Sequence, residues 1–329
     1  MTSVPLPADK PSRGSVIKAI SGALGFGILV LLTNLAVSVA VSYLYRAYQL
    51  QNASQTVRAL LDILAYFALL APGALFLLLF FRKDKGPDFS GSPWVPRLPF
   101  LFIPMAIGAG YLNSIWTDSL FGIIFDRFSQ SASAEDFYTE PVPVLLYFVS
   151  VVILPAILEE WIYRGLLLKH LLPIGKTAAI ILSALIFGLS HISLSQSMFA
   201  FAVGIPLGIA YAETGKIRFG VVIHGLTNLI SFGISYWALV WPQDWINGAY
   251  NVMIVILINA LIVGVIVYSI LGASARRHSR LAQTWNPAGA IPAGGNAKWI
   301  FANPLFYLLI IGFIALLFLY YGLPFQAGA

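Results

Sequence analysis

An all-α, polytopic transmembrane helix bundle is the fold class this sequence predicts, and three observations predict it. Of its 329 residues, 59% are hydrophobic and only 10% are charged. Mean hydropathy is +0.85, far outside the mix of a soluble globular domain. Apolar runs of spanning length recur near residues 16–45, 57–81, 98–125, 144–168, 177–194, 196–213, 217–241, 250–272 and 300–321. That gives about 8–9 spans, because the fifth, sixth and seventh runs are short and closely joined.

Each run can be justified in order. The first far exceeds the ~7–15 residues of a signal-peptide core, so it reads as an anchoring span that stays with the protein. Lys10, Arg13 and Lys18 precede it, and Arg82, Lys83, Lys85 and Arg97 follow the second run. Lys169 with Lys176, Lys216 with Arg218, and the cluster "ARRHSR" at 275–280 then fall at every second crossing. Basic residues in alternate short loops mark the cytoplasmic side, which puts the N-terminus inside and the C-terminus outside. The loop between the third and fourth runs instead carries Asp126, Glu135, Asp136 and Glu140 against a single Arg127, as an outer loop does.

The net charge of +6 is therefore a topology signal and not the footprint of a nucleic-acid partner. Cysteine is absent, which excludes disulfides and thiolate chemistry. The chain divides into residues 1–143, a tail with three accessory spans; 144–241, a core holding most of the intramembrane polar residues; and 242–329, two further spans flanking a basic inner loop. No internal repeat is visible, which speaks against an inverted-repeat transporter.

The core opens with "PAILEEWIYRGLLL", residues 155 to 168, where Glu159, Glu160 and Arg164 interrupt an apolar run. A charge at the centre of a span costs ~3 kcal/mol, so the folded bundle must compensate three of them. Glu160 and Arg164 stand four apart with the acid first, the favourable order for a same-face ion pair. Glu159 lies about 100° further round the helix and lacks this partner. A purely structural ion network is the competing reading.

Two of the four histidines fall inside predicted spans. His191 ends "FGLSH" with Phe187 one turn before it, and His224 opens "HGLTN" with Asn228 one turn after it. A lone histidine on an apolar helix is usually packing, but two in one block with a carboxylate mark a polar interior site. His170 and His278 adjoin basic residues and are expected to be solvated at the inner boundary. At ~1.5 Å per residue, Glu159 sits about 14 Å deep, His224 about 10 Å and His191 about 21 Å, which makes His191 the awkward member.

A carboxylate, two imidazoles and an amide suit peptide hydrolysis in two ways. As ligands, Glu159, His191 and His224 would form a His₂Glu zinc set with a fourth position for water. Without a metal, Glu159 would act as general base on a water held by His191, while His224 and Asn228 donate to the developing oxyanion. The cofactor is thus none or a single Zn²⁺. Neither HExxH nor HxxEH occurs, so an ordinary zincin is excluded.

EExxxR at Glu159, Glu160 and Arg164, FxxxH at Phe187 and His191, and HxxxN at His224 and Asn228 together resemble the CAAX prenyl proteases and bacteriocin-processing enzymes, the type II CAAX endopeptidases. The stretch "FAVGIPLGIAYAETGKI" between the histidines is similar to the family's Gly-rich span, and its Gly204 and Gly208 permit close helix packing. The resemblance covers about residues 144–235. It implies an integral-membrane endopeptidase in which Glu159 and His191 activate water while His224 and Asn228 hold the oxyanion. It further implies a membrane-associated or lipidated peptide as partner, a multi-pass location in a bacterial inner membrane, and a site open to the cytoplasmic side. A non-proteolytic scaffold or immunity protein with the same fold, and a proton-coupled transporter, are the other classes the residues allow.

Overall fold

The computed structural model describes residues 11–84, 86, 101–113, 138–240, 243–277 and 297–322. The topology and boundary signals Lys10, Lys85, Arg97, Asp126, Arg127, Glu135, Asp136, His278 and Arg280 lie outside the described residues. All regular structure among the described residues is helical. We number the principal helices α1 (Arg13–Ala47), α2 (Gln55–Phe80), α3 (Leu101–Asn113), α4 (Pro141–Ile174), α5 (Lys176–Leu189), α6 (Leu194–Thr214), α7 (Ile217–Val240), α8 (Gln243–Arg277) and α9 (Pro304–Gly322). Five helices are long and apolar enough to cross a membrane, namely α1, α2, α4, α6 and α7, while α3, α5, α9 and the apolar part of α8 are shorter. The described residues are all-helical, and their apolar helices make the chain an integral membrane protein.

Local chemistry fixes the ends. Ser12 and Ser54 open α1 and α2, their side chains accepting from the backbone N–H groups of Ser15 and Val57 at 3.1 and 3.4 Å. Gly215 closes α6 in the left-handed region, with φ of +66° and its N–H on the Tyr211 carbonyl. The main apolar core unites α1, α2, α4, α5, α6 and α9 through residues such as Ile20, Leu24, Leu77, Leu167 and Leu309. A second cluster joins Phe102, Met105 and Ala106 of α3 to Leu207 of α6 and Ile223 of α7.

The glycine pair expected to permit close packing does pack. A side chain on Gly204 would meet Ala184 Cβ at 3.1 Å, and one on Gly208 would meet Ile180 Cγ2 at 3.0 Å, so α6 lies directly on α5.

Between these helices the structure departs from the sequence reading. His191 is not on a span: α5 ends at Leu189, and His191 lies in the turn before Ser193, whose side chain caps α6. With only 14 residues, α5 is about 21 Å long, short of the ~30 Å hydrocarbon core. A turn at that depth is tolerable only if protein groups satisfy its backbone, and they do. Asn34 of α1 donates to the Ser190 carbonyl at 3.2 Å, and the Ser197 hydroxyl donates to the His191 carbonyl.

A second correction concerns His170, which is buried and not solvated. Its ring stacks on Phe81 with centroids 4.2 Å apart, and its nitrogens lie 2.6 and 2.9 Å from the carbonyls of Leu166 and Asp84. The C-terminal end of α2 and its following turn supply this enclosure, which neighbouring lysines in the sequence could not reveal.

Candidate active site

Helix α4 is not uniformly α-helical. Two stretches, Val149–Ile153 and Glu160–Leu168, are wound as π-helix, with the N–H of Leu154 on Val149 O and that of Lys169 on Arg164 O, each five residues back. Pro155 explains part of the first irregularity, since it brings no N–H to the carbonyl four residues earlier, that of Val151. Asn228 of α7 reaches that carbonyl, its Nδ2 donating to Val151 O at 3.0 Å. One of its two amide hydrogens is therefore committed to α4.

The second π stretch begins at the glutamate pair. Glu160 is fully buried and Arg164 is 1% exposed; Arg164 Nη1 donates to Glu160 Oε1 at 2.7 Å. Its Nη2 reaches the Gly204 carbonyl at 3.4 Å, and its guanidinium carbon lies 4.6 Å from the Phe187 ring centroid. Glu160 also accepts from His224, whose Nδ1 stands 3.0 Å from the same Oε1. A carboxylate only accepts, so this bond puts the hydrogen on Nδ1 and turns Nε2 toward Glu159.

Glu159, 7% exposed, faces two other groups. Its Oε1 accepts from the Tyr66 hydroxyl of α2 at 2.9 Å. Its Oε2 is buried without a hydrogen-bond partner and lies 3.9 Å from His224 Nε2. The two adjacent glutamates thus flank one imidazole.

Phe187 links the remaining residues. Its ring meets His191 and His224 edge-on, with centroids 5.1 and 5.8 Å away, and Tyr163 at 4.9 Å. His191 Nδ1 lies 2.9 Å from Phe187 O, an acceptor, which assigns the hydrogen to Nδ1 and leaves Nε2 as the basic nitrogen. The structure therefore brings Glu159, Glu160, Arg164, Phe187 and His224 into direct contact. His191 joins through Phe187 and makes no ion-pair contact with Glu159, whose near imidazole is His224.

Zinc fits these residues poorly. Among the described residues no group of three or more histidine, aspartate or glutamate side chains is placed to hold a metal ion. The groups at hand for hydrolysis are a carboxylate, two imidazoles and an amide.

Sequence reasoning missed Tyr66, Asn34 and Ser197, all outside the three motifs. The available signal was Asp62, a carboxylate within an apolar run and one helical turn before Tyr66. It accepts from Tyr138 at 2.7 Å; burial, then this bond and the Asp62 charge, hold the Tyr138 hydroxyl proton well above the ordinary tyrosine range. Glu213 was missed too. It is buried at the end of α6 and paired with Lys176.

Compared with known families, residues 141–230 match the model described as type II CAAX prenyl endopeptidase Rce1-like. No curated protein and no solved structure matches the chain.

Proposed function

Because residues 141–230 match the type II CAAX prenyl endopeptidase model, we propose that this chain belongs to the family of CAAX prenyl proteases and bacteriocin-processing enzymes and is an intramembrane endopeptidase hydrolysing a peptide bond in a membrane-associated or lipidated peptide. The observation that carries this reading is Oε2 of Glu159, a buried carboxylate oxygen without a protein partner, 3.9 Å from an imidazole nitrogen. That separation is too long for a direct bond and suits one bridging water.

Glu159 Oε2 takes a proton from that water as its oxygen attacks the scissile carbonyl. His191, with Nδ1 fixed on Phe187 O, keeps Nε2 free to hold the same water. The tetrahedral oxyanion accepts from the second amide hydrogen of Asn228 and from Nε2–H of His224 in its doubly protonated form, whose Nδ1–H stays on Glu160, and Glu159 returns its proton to the leaving amine. Glu160 and Arg164 hold His224 in register.

Residues 144–241 are the catalytic core on this reading, and the flanking segments frame it. On the same reading the N-terminus lies in the cytoplasm, the nine apolar helices among the described residues lie in a bacterial inner membrane, and the site opens to the cytoplasmic side.

The test is cleavage of a farnesylated CAAX peptide by the full chain in proteoliposomes, read by mass spectrometry. Release of the C-terminal fragment by the native chain and its loss in Glu159→Gln is the expected result. A folded Glu159→Gln variant that still cleaves would remove Glu159 as the base, and one that cleaves nothing yet keeps the native chain's cellular phenotype would favour a binding scaffold and overturn the reading.

A further inference from the structure

Helix α2 lies outside the matched segment, yet it supplies the group nearest to Glu159. We propose that Tyr66 is a positioning residue for Glu159, holding Oε1 by its hydroxyl so that Oε2 alone is presented to water and to His224. This inference rests on the reading of Glu159 as the general base.

The geometry carries it. A carboxylate on a two-bond stem can swing either oxygen toward the histidine, and a swing exchanges a correctly placed base for a misplaced one. The Tyr66 hydroxyl has one hydrogen, and at 2.9 Å from Oε1 it removes that freedom. Oε2 is then the oxygen left without a bond, which is the state a base needs.

The position of Tyr66 is itself fixed by contacts one and three turns earlier on α2. Asp62 accepts from Tyr138 at 2.7 Å, and the Gln55 side chain accepts from Thr139 N at 2.7 Å and Glu140 N at 3.2 Å. It also donates to the Thr139 hydroxyl at 2.9 Å. These bonds fasten the start of α2 to the residues that lead into α4. A helix so clamped delivers residue 66 to a set height on α4, where Glu159 waits. The site is therefore incomplete within residues 141–230 and is finished by an accessory helix.

Tyr66→Phe keeps the ring and removes only the hydroxyl. In the full chain, cleavage of the farnesylated CAAX peptide should fall about 100-fold in kcat with KM unchanged, the scale expected when a reacting group loses its orientation. The thermal unfolding temperature in detergent should fall by only a few degrees, the cost of one hydrogen bond. A second readout needs no activity: labelling of Glu159 by a hydrophobic carbodiimide, quantified by mass spectrometry and assigned with Glu159→Gln, should rise several-fold in Tyr66→Phe because Oε1 is released. Unchanged kcat, a rise in KM alone, or unchanged labelling overturns the proposal. If Glu159→Gln still cleaves, the reading of Glu159 as general base fails by itself, and the labelling experiment decides the Tyr66 contact alone.

Discussion

Glu159 Oε2 lies 3.9 Å from Nε2 of His224, while the opposite nitrogen of that ring stands 3.0 Å from Oε1 of Glu160. Consecutive residues of one helix thus hold a single imidazole from both sides, and their remaining partners differ. Glu160 is tied to Arg164, and Glu159 to Tyr66. The pair is not redundant: Glu160 accepts from the ring through Oε1, while Glu159 faces the opposite nitrogen through Oε2 without bonding it.

The Glu160–Arg164 pair supports a prediction that separates folding from chemistry. Both side chains are essentially unexposed, so Arg164→Ala strands a buried carboxylate and should destabilise the chain by about 3–5 kcal/mol, seen as a lower yield and melting temperature in detergent. Replacing both partners by apolar residues, Glu160→Leu with Arg164→Met, should restore much of that stability. It should not restore cleavage, because His224 Nδ1 then has no acceptor. Equal expression of Arg164→Ala and Glu159→Ala would contradict this division.

Why does the sequence reveal some of this and not the rest? The Glu160–Arg164 contact follows from a four-residue spacing on one helix, and the Gly204 and Gly208 contacts from small residues at the same spacing. Such relations are local, and periodicity shows them. His191 reads as part of a span because "FGLSHISLSQS" is apolar enough to continue a helix. Its serines act as caps and backbone donors, a role that depends on where the turn folds. Tyr66 is invisible because a contact across 93 residues leaves no periodic trace. His170 escapes for the same reason, its enclosure coming from Phe81 and Asp84, more than 80 residues away.

Gly220 stands one turn before His224, and both face Glu160. A methyl group there would press on the Glu160 carboxylate, within 3.0 Å of Cδ and nearer still to Oε2. Since Glu160 is clamped by Arg164, it cannot withdraw freely. Gly220→Ala should cost about 1–3 kcal/mol in stability and reduce cleavage more than its stability loss accounts for, because His224 moves with its acceptor. Gly225→Ala is the control: its nearest neighbour is Ala156 Cβ at 3.5 Å, an ordinary contact, and both stability and activity should stay near native. Kinetics beside detergent melting curves distinguish the two.

Asn34 tests the turn that carries His191. Its amide donates to Val30 O within α1 and to Ser190 O across to α5. Asn34→Leu keeps the branched shape and withdraws the donor from a carbonyl at membrane depth, at about 1–3 kcal/mol. Hydrogen exchange measured by mass spectrometry should then accelerate in peptides covering 189–197 and not in those covering α7. Uniform protection in both would place the turn's stability elsewhere.

The strongest test of the α4 geometry is a double-mutant cycle between Pro155 and Asn228. Pro155 leaves Val151 O without the donor an α-helix would provide, and Asn228 Nδ2 supplies one at 3.0 Å. Asn228→Ala should therefore destabilise the chain by about 1 kcal/mol, through a half-buried carbonyl left without that donor. Pro155→Ala restores a backbone N–H at the right position, and with it a route to ordinary helical bonding. In the native background the two donors compete for one acceptor, so Pro155→Ala alone should loosen the contact between α4 and α7. Combined with Asn228→Ala it should recover part of the lost stability, giving a coupling energy of about 0.5–3 kcal/mol in melting experiments. Cleavage should stay low in the double variant, because the second amide hydrogen of Asn228 serves the oxyanion and no backbone group replaces it. Strict additivity of the two stability changes would mean that proline and amide do not share this carbonyl, and recovered cleavage would remove Asn228 from the chemistry.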